Sequence, residues 1–269
     1  MRAVLVLTLA LLGLAVAAPA PAAAPLRICA DPNNLPFSNA RGEGFENRLA
    51  ELLAAELGTR VEYTWWAQRR GFVRNTLNAG VCDVVLGAPV GWDLVLATRP
   101  YYRSTYVFAW RRDRALDVRA LDDPRLRTLR VGVQLIGDNG INTPPAHALA
   151  NRGIVTNVRG YSVFGDYAGP HPGARILDAL VADDIDVAVV WGPVAGYFAD
   201  RLAAPLAWAA VAPAAEPPAL RFTFAIAAGV RRSDAALRDR IQAALDRRAD
   251  AVRAILDAYG VPRVEAPTP

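Results

Sequence analysis

Apolar residues recur along this chain in short runs and helical stripes, and the alternation of the two repeats. Leu26–Ala30 (LRICA) reads as a strand and ends in Asp31-Pro32-Asn33-Asn34-Leu35-Pro36-Phe37, a loop of turn formers. Between Gly44 and Leu57, Phe45, Leu49, Leu52, Leu53 and Leu57 fall at 3.6-residue spacing, which predicts an amphipathic helix stopped by Gly58. Arg60–Trp65 alternates as a strand. Arg70–Ala79 reads as a second helix, with Phe72, Val73, Thr76 and Leu77 inward and Gly80 ending it. Val81–Gly87 is a continuous apolar run, read as a central parallel strand buried on both faces. This β-α-β-α-β order implies right-handed crossovers and ligand contact at the carboxyl ends of the strands.

The stretch Gly87–Trp110 closes that first unit. A Gly-Pro loop leads to an apolar run, Asp93–Ala97, then to the corner Pro100-Tyr101-Tyr102 and an alternating strand, Thr105–Trp110. After a charged stretch, Arg111–Arg127, the pattern begins again. Leu129–Leu135 is a strand, Gly137-Asp138-Asn139-Gly140 the loop at its carboxyl end, and Thr143-Pro144-Pro145 the start of a helix with Thr143 as N-cap. Residues 157–173 show little periodicity. Gly173–Ala182 is helical, Asp186–Trp191 an apolar strand, and Gly192-Pro193 opens a short helix. Ala203–Pro218 is rich in Ala and Pro and reads as a return linker. Phe222–Ala228 is a strand, and Ser233 caps one long helix to Tyr259, ended by Gly260 and Pro262. Two α/β units joined by crossings leave a cleft between them. The expected division is residues 26–109 with 220–264 as one lobe, 110–219 as the other, and 265–269 as a disordered tail.

The first residues stand apart. Met1-Arg2 is a short positive start, Ala3–Ala18 carries no charge, and small residues in A-x-A spacing follow at Ala15-Val16-Ala17 and Ala20-Pro21-Ala22. This is the pattern of a secretory signal peptide over residues 1–22, with Pro19 interrupting the run of ~20 apolar residues that a membrane anchor wants. No later segment is long and apolar enough to span a bilayer, so an exported, periplasmic and soluble protein is expected. All 30 basic residues of the 269-residue chain are Arg; without the leader, 29 remain against 26 acidic residues, a net charge of +3. These charges are mixed along the chain, with no basic run that reads as a nucleic-acid patch. The two cysteines, Cys29 and Cys82, each flank a predicted strand, and an oxidising compartment predicts a disulfide between them. In the chain-entropy model, closing a loop of that length contributes roughly 4 kcal/mol.

Several segments resemble known proteins. The element order and the words LATRPYYRSTYVF resemble the bacterial extracellular solute-binding proteins of family 3. The words CADPNNLPFSN, GEGFEN, YTWWAQRRGFVRNTLNAGVCDVV, TRPYYRSTYVF and VGVQLIGDNGINTPPAHAL are similar to the J-type accessory proteins encoded beside quinoprotein (PQQ-dependent) alcohol and methanol dehydrogenases. The resemblance implies an α/β, two-lobed periplasmic-binding-protein fold of type II, each lobe a doubly wound sheet flanked by helices. It also implies a partner, the dehydrogenase with or without its cytochrome c, whose maturation or activation the protein assists through protein contacts. A transporter receptor for a small organic solute is the alternative. Amino-acid-binding members of the wider family carry an Arg after the third strand that grips the ligand carboxylate. The corresponding positions here, about Gly91, Trp92 and Asp93, hold no cation, which argues against a standard amino acid unless Arg69 or Arg70 substitutes.

The expected cleft set is Asp31, Asn33, Asn34, Phe37, Trp66, Arg70, Pro89, Trp92, Tyr101, Gln134, Asp138, Asn139 and Trp191, with Trp66 and Trp92 as its exposed aromatic walls. Asp31-Pro32-Asn33-Asn34 also makes a good turn by itself. Asp138, Asn139 and Asn142 suggest a calcium or lanthanide loop, but they lack the downstream bidentate Glu, and a turn before a capped helix accounts for them. Asp183-Asp184 reads as a solvated turn. His147 and His171 have no Ser, Cys or second His spaced for a triad or a metal site. With no Walker loop, dinucleotide fingerprint or haem motif, neither a cofactor nor an enzymatic activity is expected.

Overall fold

The structure is a computed structural model that describes residues 23–137, 142–164, 167–216 and 220–265. The predicted signal peptide, Asp138, Asn139 and the end of the tail lie outside the described residues. The strands of five or more residues are β1 (Leu26–Ala30), β2 (Val61–Trp65), β3 (Val84–Pro89), β4 (Tyr102–Arg111), β5 (Val131–Leu135), β6 (Val158–Ser162), β7 (Val187–Trp191), β8 (Leu206–Ala210) and β9 (Thr223–Val230). The helices are α1 (Phe45–Glu56), α2 (Phe72–Asn75), α3 (Pro144–Asn151), α4 (Arg175–Val181), α5 (Gly192–Phe198), α6 (Ala235–Arg247) and α7 (Ala249–Ala258).

Bonded neighbours run β2-β1-β3-β9-β4-β7-β5-β6, with β8 on β4 and Leu96–Ala97 on β9. The path passes through β4, which changes partners along its length. Tyr102–Thr105 pairs antiparallel with Ile226–Thr223 of β9. Tyr106–Ala109 pairs with Trp191–Ala188 of β7, and Val107–Arg111 with Ala210–Leu206 of β8. The sheet is therefore two halves joined at Thr105–Tyr106. In the first half, α1, α6 and α7 cover a core of Ile28, Phe45, Leu49, Leu53, Val84, Leu86 and Val230. In the second, Ile176, Leu177, Val190 and Phe198 pack on one face, and Phe108, Val133, Leu149, Val189 and Phe222 on the other.

Local chemistry sets where α1 begins. A Cβ at Gly44 would stand 2.0 Å from the Phe37 carbonyl oxygen, so only glycine fits there. The free N–H groups of the first turn are taken by the preceding loop: Phe45 N donates to Pro36 O (2.8 Å) and Glu46 N to Phe37 O (2.8 Å). Asn47 Oδ1 accepts from Gly44 N (3.0 Å) and Asn39 N (3.1 Å). The helix thus starts bound to the loop that leaves β1, and its first turn faces the carboxyl ends of the strands.

Five elements differ from the sequence reading. The second helix is one turn, Phe72–Asn75, because Gly71 enters it at φ +87° and Thr76 Oγ1 donates back to Phe72 O (2.7 Å). The third strand starts at Val84 and is mixed, parallel to β1 but antiparallel to β9, since the chain returns alongside it. The expected linker contains β8; its sequence LAWAA shows too little hydropathy contrast to announce a strand. β6 lies in the aperiodic stretch as an edge strand with mostly exposed side chains. The long C-terminal helix breaks at Arg248 into α6 and α7, with Asp234, not Ser233, at its N-cap. There Arg247 and Arg248 both reach Glu56 at the end of α1 (2.6 and 3.3 Å), while Ile241 and Leu245 before the break and Val252 and Leu256 after it stay in the core.

Each half carries the same brace at the amino ends of its strands. Arg27 forks onto Asp83 through Nε (2.8 Å) and Nη2 (2.6 Å), while Asp83 N donates to Arg27 O (2.7 Å). Arg130 forks onto Asp186 through Nε (3.1 Å) and Nη2 (2.6 Å), while Asp186 N donates to Arg130 O (2.8 Å). Both pairs are 56 residues apart. The predicted disulfide joins Cys29 to Cys82 beside the first brace, with Cα atoms 5.4 Å apart. Burial raises the Asp83 carboxyl pKa, but Arg27 and Arg231 outweigh it and hold it below the usual range. A depressed carboxylate stabilises above its unfolded pKa, and that contribution is lost as pH falls through the folded one. Asp83→Asn is therefore expected to cost about 1–3 kcal/mol in urea unfolding at neutral pH. The difference from the unsubstituted protein should shrink below about pH 4, and a pH-independent difference would refute the assignment.

Candidate binding cleft

A cavity of about 390 Å³ opens at the carboxyl ends of the parallel strands, lined from both halves. The first half contributes Asp31, Asn33, Asn34 and Phe37 after β1, Glu46 in the first turn of α1, Gln68 after β2, and Gly87 and Pro89 of β3. The second contributes Gln134 of β5, Val163, Phe164, Tyr167 and Gly173 after β6, Trp191 at the end of β7 and Val194 of α5. Tyr102 and Tyr106 of β4 and Phe224 and Ile226 of β9 line it from the strands that join the halves.

The two carboxyl groups in this cleft have opposite surroundings. Asp31, 2% exposed, is saturated: Oδ1 accepts from Asn33 N (2.8 Å), and Oδ2 from Gln68 N (2.6 Å) and from the Tyr167 hydroxyl. Asn33 Nδ2 donates to Gly169 O (3.2 Å), Asn34 Nδ2 to Gln68 Oε1 (3.1 Å), and the Arg69 guanidinium lies 4.7 Å from the centre of the Tyr167 ring. These contacts tie the loop after β1 to the loop after β6 across the cleft. Burial first, and then the Asp31 carboxylate, push the Tyr167 phenol well above its ordinary pKa.

Glu46 has no such donors. Its carboxyl makes no hydrogen bond or ion pair to a described residue and sits against Gly87, where an added Cβ would meet Oε1 at 2.7 Å. Burial, and secondarily the charge of Asp31, raise its pKa to about 8. Aromatic rings line the same cavity. Tyr106, Trp191 and Phe224 form an edge-on triangle with centroids 5.3, 5.9 and 6.4 Å apart. Buried Gln134 holds Trp191 in place, its Oε1 accepting from Trp191 N (3.1 Å). No Arg, Lys or His is among the described residues that line the cavity.

Asp31, Asn33, Asn34, Phe37, Pro89, Gln134 and Trp191 thus come together as the sequence reading has them. Four others lie elsewhere. Trp66 is 47% exposed, and it and the exposed Arg70 are outside the cavity lining. Trp92 follows the turn at Gly91, donates its N–H to Pro89 O (3.2 Å), and packs back on the cluster around the disulfide. Tyr101 points inward, its hydroxyl donating to Leu86 O (2.6 Å). Thr143 precedes α3 as expected, but its hydroxyl donates to Gln134 O (2.6 Å) instead of capping the helix. No group of three or more His, Cys, Asp or Glu placed to hold a metal occurs among the described residues. Tyr102, one of the aromatics that the sequence places at strand ends and loops of the cleft, does line it; sequence reasoning missed Glu46, Gln68, Tyr106, Phe164, Tyr167 and Phe224. The alternation of β4, which puts Tyr106 on the same face as Tyr102, carried a usable signal for one of them.

The chain is 32% identical over 253 residues to Protein MoxJ of Methylorubrum extorquens, covering 89% of this chain and 82% of that protein. It belongs to the MoxJ family. Among solved structures it is similar to the periplasmic binding protein XoxJ from Methylobacterium extorquens AM1, with 34% identity, TM-score 0.74, and coverage of 90% of this chain and 100% of that one. It is also similar to MxaJ from Methlophaga aminisulfidivorans, with 26% identity, TM-score 0.75, and coverage of 89% and 100%. An ancestral cationic amino acid solute-binding protein, 22% identical with TM-score 0.65, shares the type II periplasmic-binding-protein fold. No protein-family model matches the chain.

Within this MoxJ-family fold, Glu46 makes a measurable claim. A carboxyl with a raised pKa keeps its proton in the folded state where the unfolded chain gives it up. Its stabilising contribution is complete below the unfolded pKa and is lost as pH rises through the folded one. Glu46→Gln is expected to match the parent in thermal unfolding near pH 4 and to exceed it by about 2–4 kcal/mol near pH 9. Equal stability at the alkaline end would show that the carboxyl has a partner.

Proposed function

We propose that this MoxJ-family protein is a periplasmic accessory protein of a PQQ-dependent alcohol or methanol dehydrogenase. It acts in that enzyme's maturation or activation through protein contacts, with or without the enzyme's cytochrome c. What carries the reading is the match to MoxJ and XoxJ along nearly the whole chain, taking in both halves. The cleft supports it, since no basic side chain among its described lining residues stands ready for an amino-acid carboxylate. In this reading the chain forms two lobes that move about the point where β4 changes partners, so that the boundary expected after residue 109 falls instead at Thr105–Tyr106. Residues 1–22 direct export. The proposed contact surface lies beside the cleft mouth, where Trp66 follows β2 and Val90 follows β3, 47% and 49% exposed.

The test is calorimetric titration of the mature protein with the purified dehydrogenase of the same organism, both PQQ-loaded and apo. Binding is expected, and Trp66→Ala should weaken it at least about tenfold without changing the melting temperature, as for an exposed aromatic anchor. Absence of binding to both forms would sink the proposal. The size of the cleft, about 390 Å³, favours a second reading, a transport receptor for a small organic solute other than a standard amino acid. In that case a ligand at 100-fold excess over its Kd stabilises the protein by about 2.7 kcal/mol.

A further inference from the structure

We infer that the cleft is built for an organic cation: an ammonium group on an apolar body that carries no carboxylate of its own. This goes beyond the accessory-protein reading and holds whether or not a dehydrogenase docks beside the cleft.

The argument begins with the missing partner of Glu46. A half-buried carboxyl left without donors or a counter-charge is costly, and structures normally supply one or the other. Asp31, in the same cavity, has its donors; Glu46 does not. Glycine at position 87 lets this carboxyl lie close against β3, where an added Cβ would stand 2.7 Å from Oε1. The charged and titratable groups that act on Glu46 or feel it are Asp31, Tyr63, Tyr101 and Tyr102, none of them a cation. Arg69 stacks on Tyr167 and does not line the cavity. The partner that completes the site is therefore one that arrives with the ligand.

The walls select its sign and shape. The rings of Tyr106, Trp191 and Phe224, packed edge-on against one another in the cavity wall, offer apolar contact to its body and aromatic surface that tolerates its charge. Asp31, its oxygens already engaged, adds a second negative charge without competing for contact. A ligand carboxylate would meet Glu46 and Asp31 with no Arg, Lys or His among the described lining residues to receive it. A neutral ligand would gain a hydrogen bond at most. The cavity lies in the size range that takes a small organic molecule.

Protons provide the signature. With its pKa near 8, Glu46 is mostly protonated at neutral pH, and an ammonium that pairs with its carboxylate must expel that proton. The probes are 2-phenylethylamine, 2-phenylethanol and L-phenylalanine, titrated calorimetrically into the mature protein in buffers of different ionisation enthalpy. The amine should bind at least about tenfold more tightly than the alcohol and release close to one proton at about pH 7. Its affinity should rise about tenfold between about pH 6 and pH 7 and level off above pH 8. L-phenylalanine, the same cation with a carboxylate added, should bind more weakly than the amine. Glu46→Gln should abolish both the proton release and the preference for the amine. Equal affinity for amine and alcohol, tightest binding of L-phenylalanine, binding without proton release, or no binding of the amine at millimolar concentration would each overturn the inference. The comparison of probes on the unsubstituted protein decides it even if the variant fails to fold. Because dehydrogenase binding is measured separately, failure of one claim leaves the other standing.

Discussion

The ten-residue strand Tyr102–Arg111 is held by β9 along its first four residues and by β7 and β8 along the rest. A backbone segment bonded in this way cannot leave one half without disturbing the other. The remaining strands are arranged around that constraint. Their carboxyl ends converge on Tyr102 and Tyr106, and the residues that follow them become the walls of one cavity. Two separately folded α/β units joined by a flexible tether would have no reason to place Asp31 and Trp191 in the same space.

Within that space the decisive contrast is between two acids. Burial penalises each, and the outcome depends on the backbone. The loop after β1 turns so that amides from Asn33 and Gln68 point at Asp31. In the first turn of α1 the amides of Phe45 and Glu46 go to Pro36 and Phe37, and none is bonded to the Glu46 side chain. One carboxylate becomes part of the frame, tying the cleft loops together; the other remains an unmet demand. The same physics reaches the phenols of Tyr101 and Tyr102, which burial first and Glu46 second raise above their ordinary range.

Most of the scaffold was legible because its signals are local. β1, α1 and the two apolar strands leading to Gly87 and Trp191 follow from periodicity and from glycine stops. β8 and β6 were hidden, one by alanines with little contrast, the other by an edge position that leaves no buried face to read. The cleft was half legible. Residues that end strands were found, because strand ends in such folds point at ligands. Glu46 is hidden in the sequence because a charged residue in the first turn of a helix normally faces bulk water, and here it faces the cavity. Trp92 and Tyr101 were placed in the cleft because large aromatics beside a loop suggest a wall; the turn at Gly91 and the Leu86 carbonyl turn them inward instead.

The repeated Arg–Asp braces are alike in chemistry and in spacing, but they do not carry equal responsibility. In the first half, Cys29–Cys82 already closes a loop of nearly the same extent by covalent means, so the ordering entropy of that closure is removed from the unfolded chain before any ion pair forms. The second half has no such bond among the described residues, and the whole of that entropy falls on Arg130, Asp186 and the packing around them. Twin architecture therefore conceals an asymmetric molecule, with one half insured by oxidation and the other dependent on its ion pair and non-covalent packing for the same task.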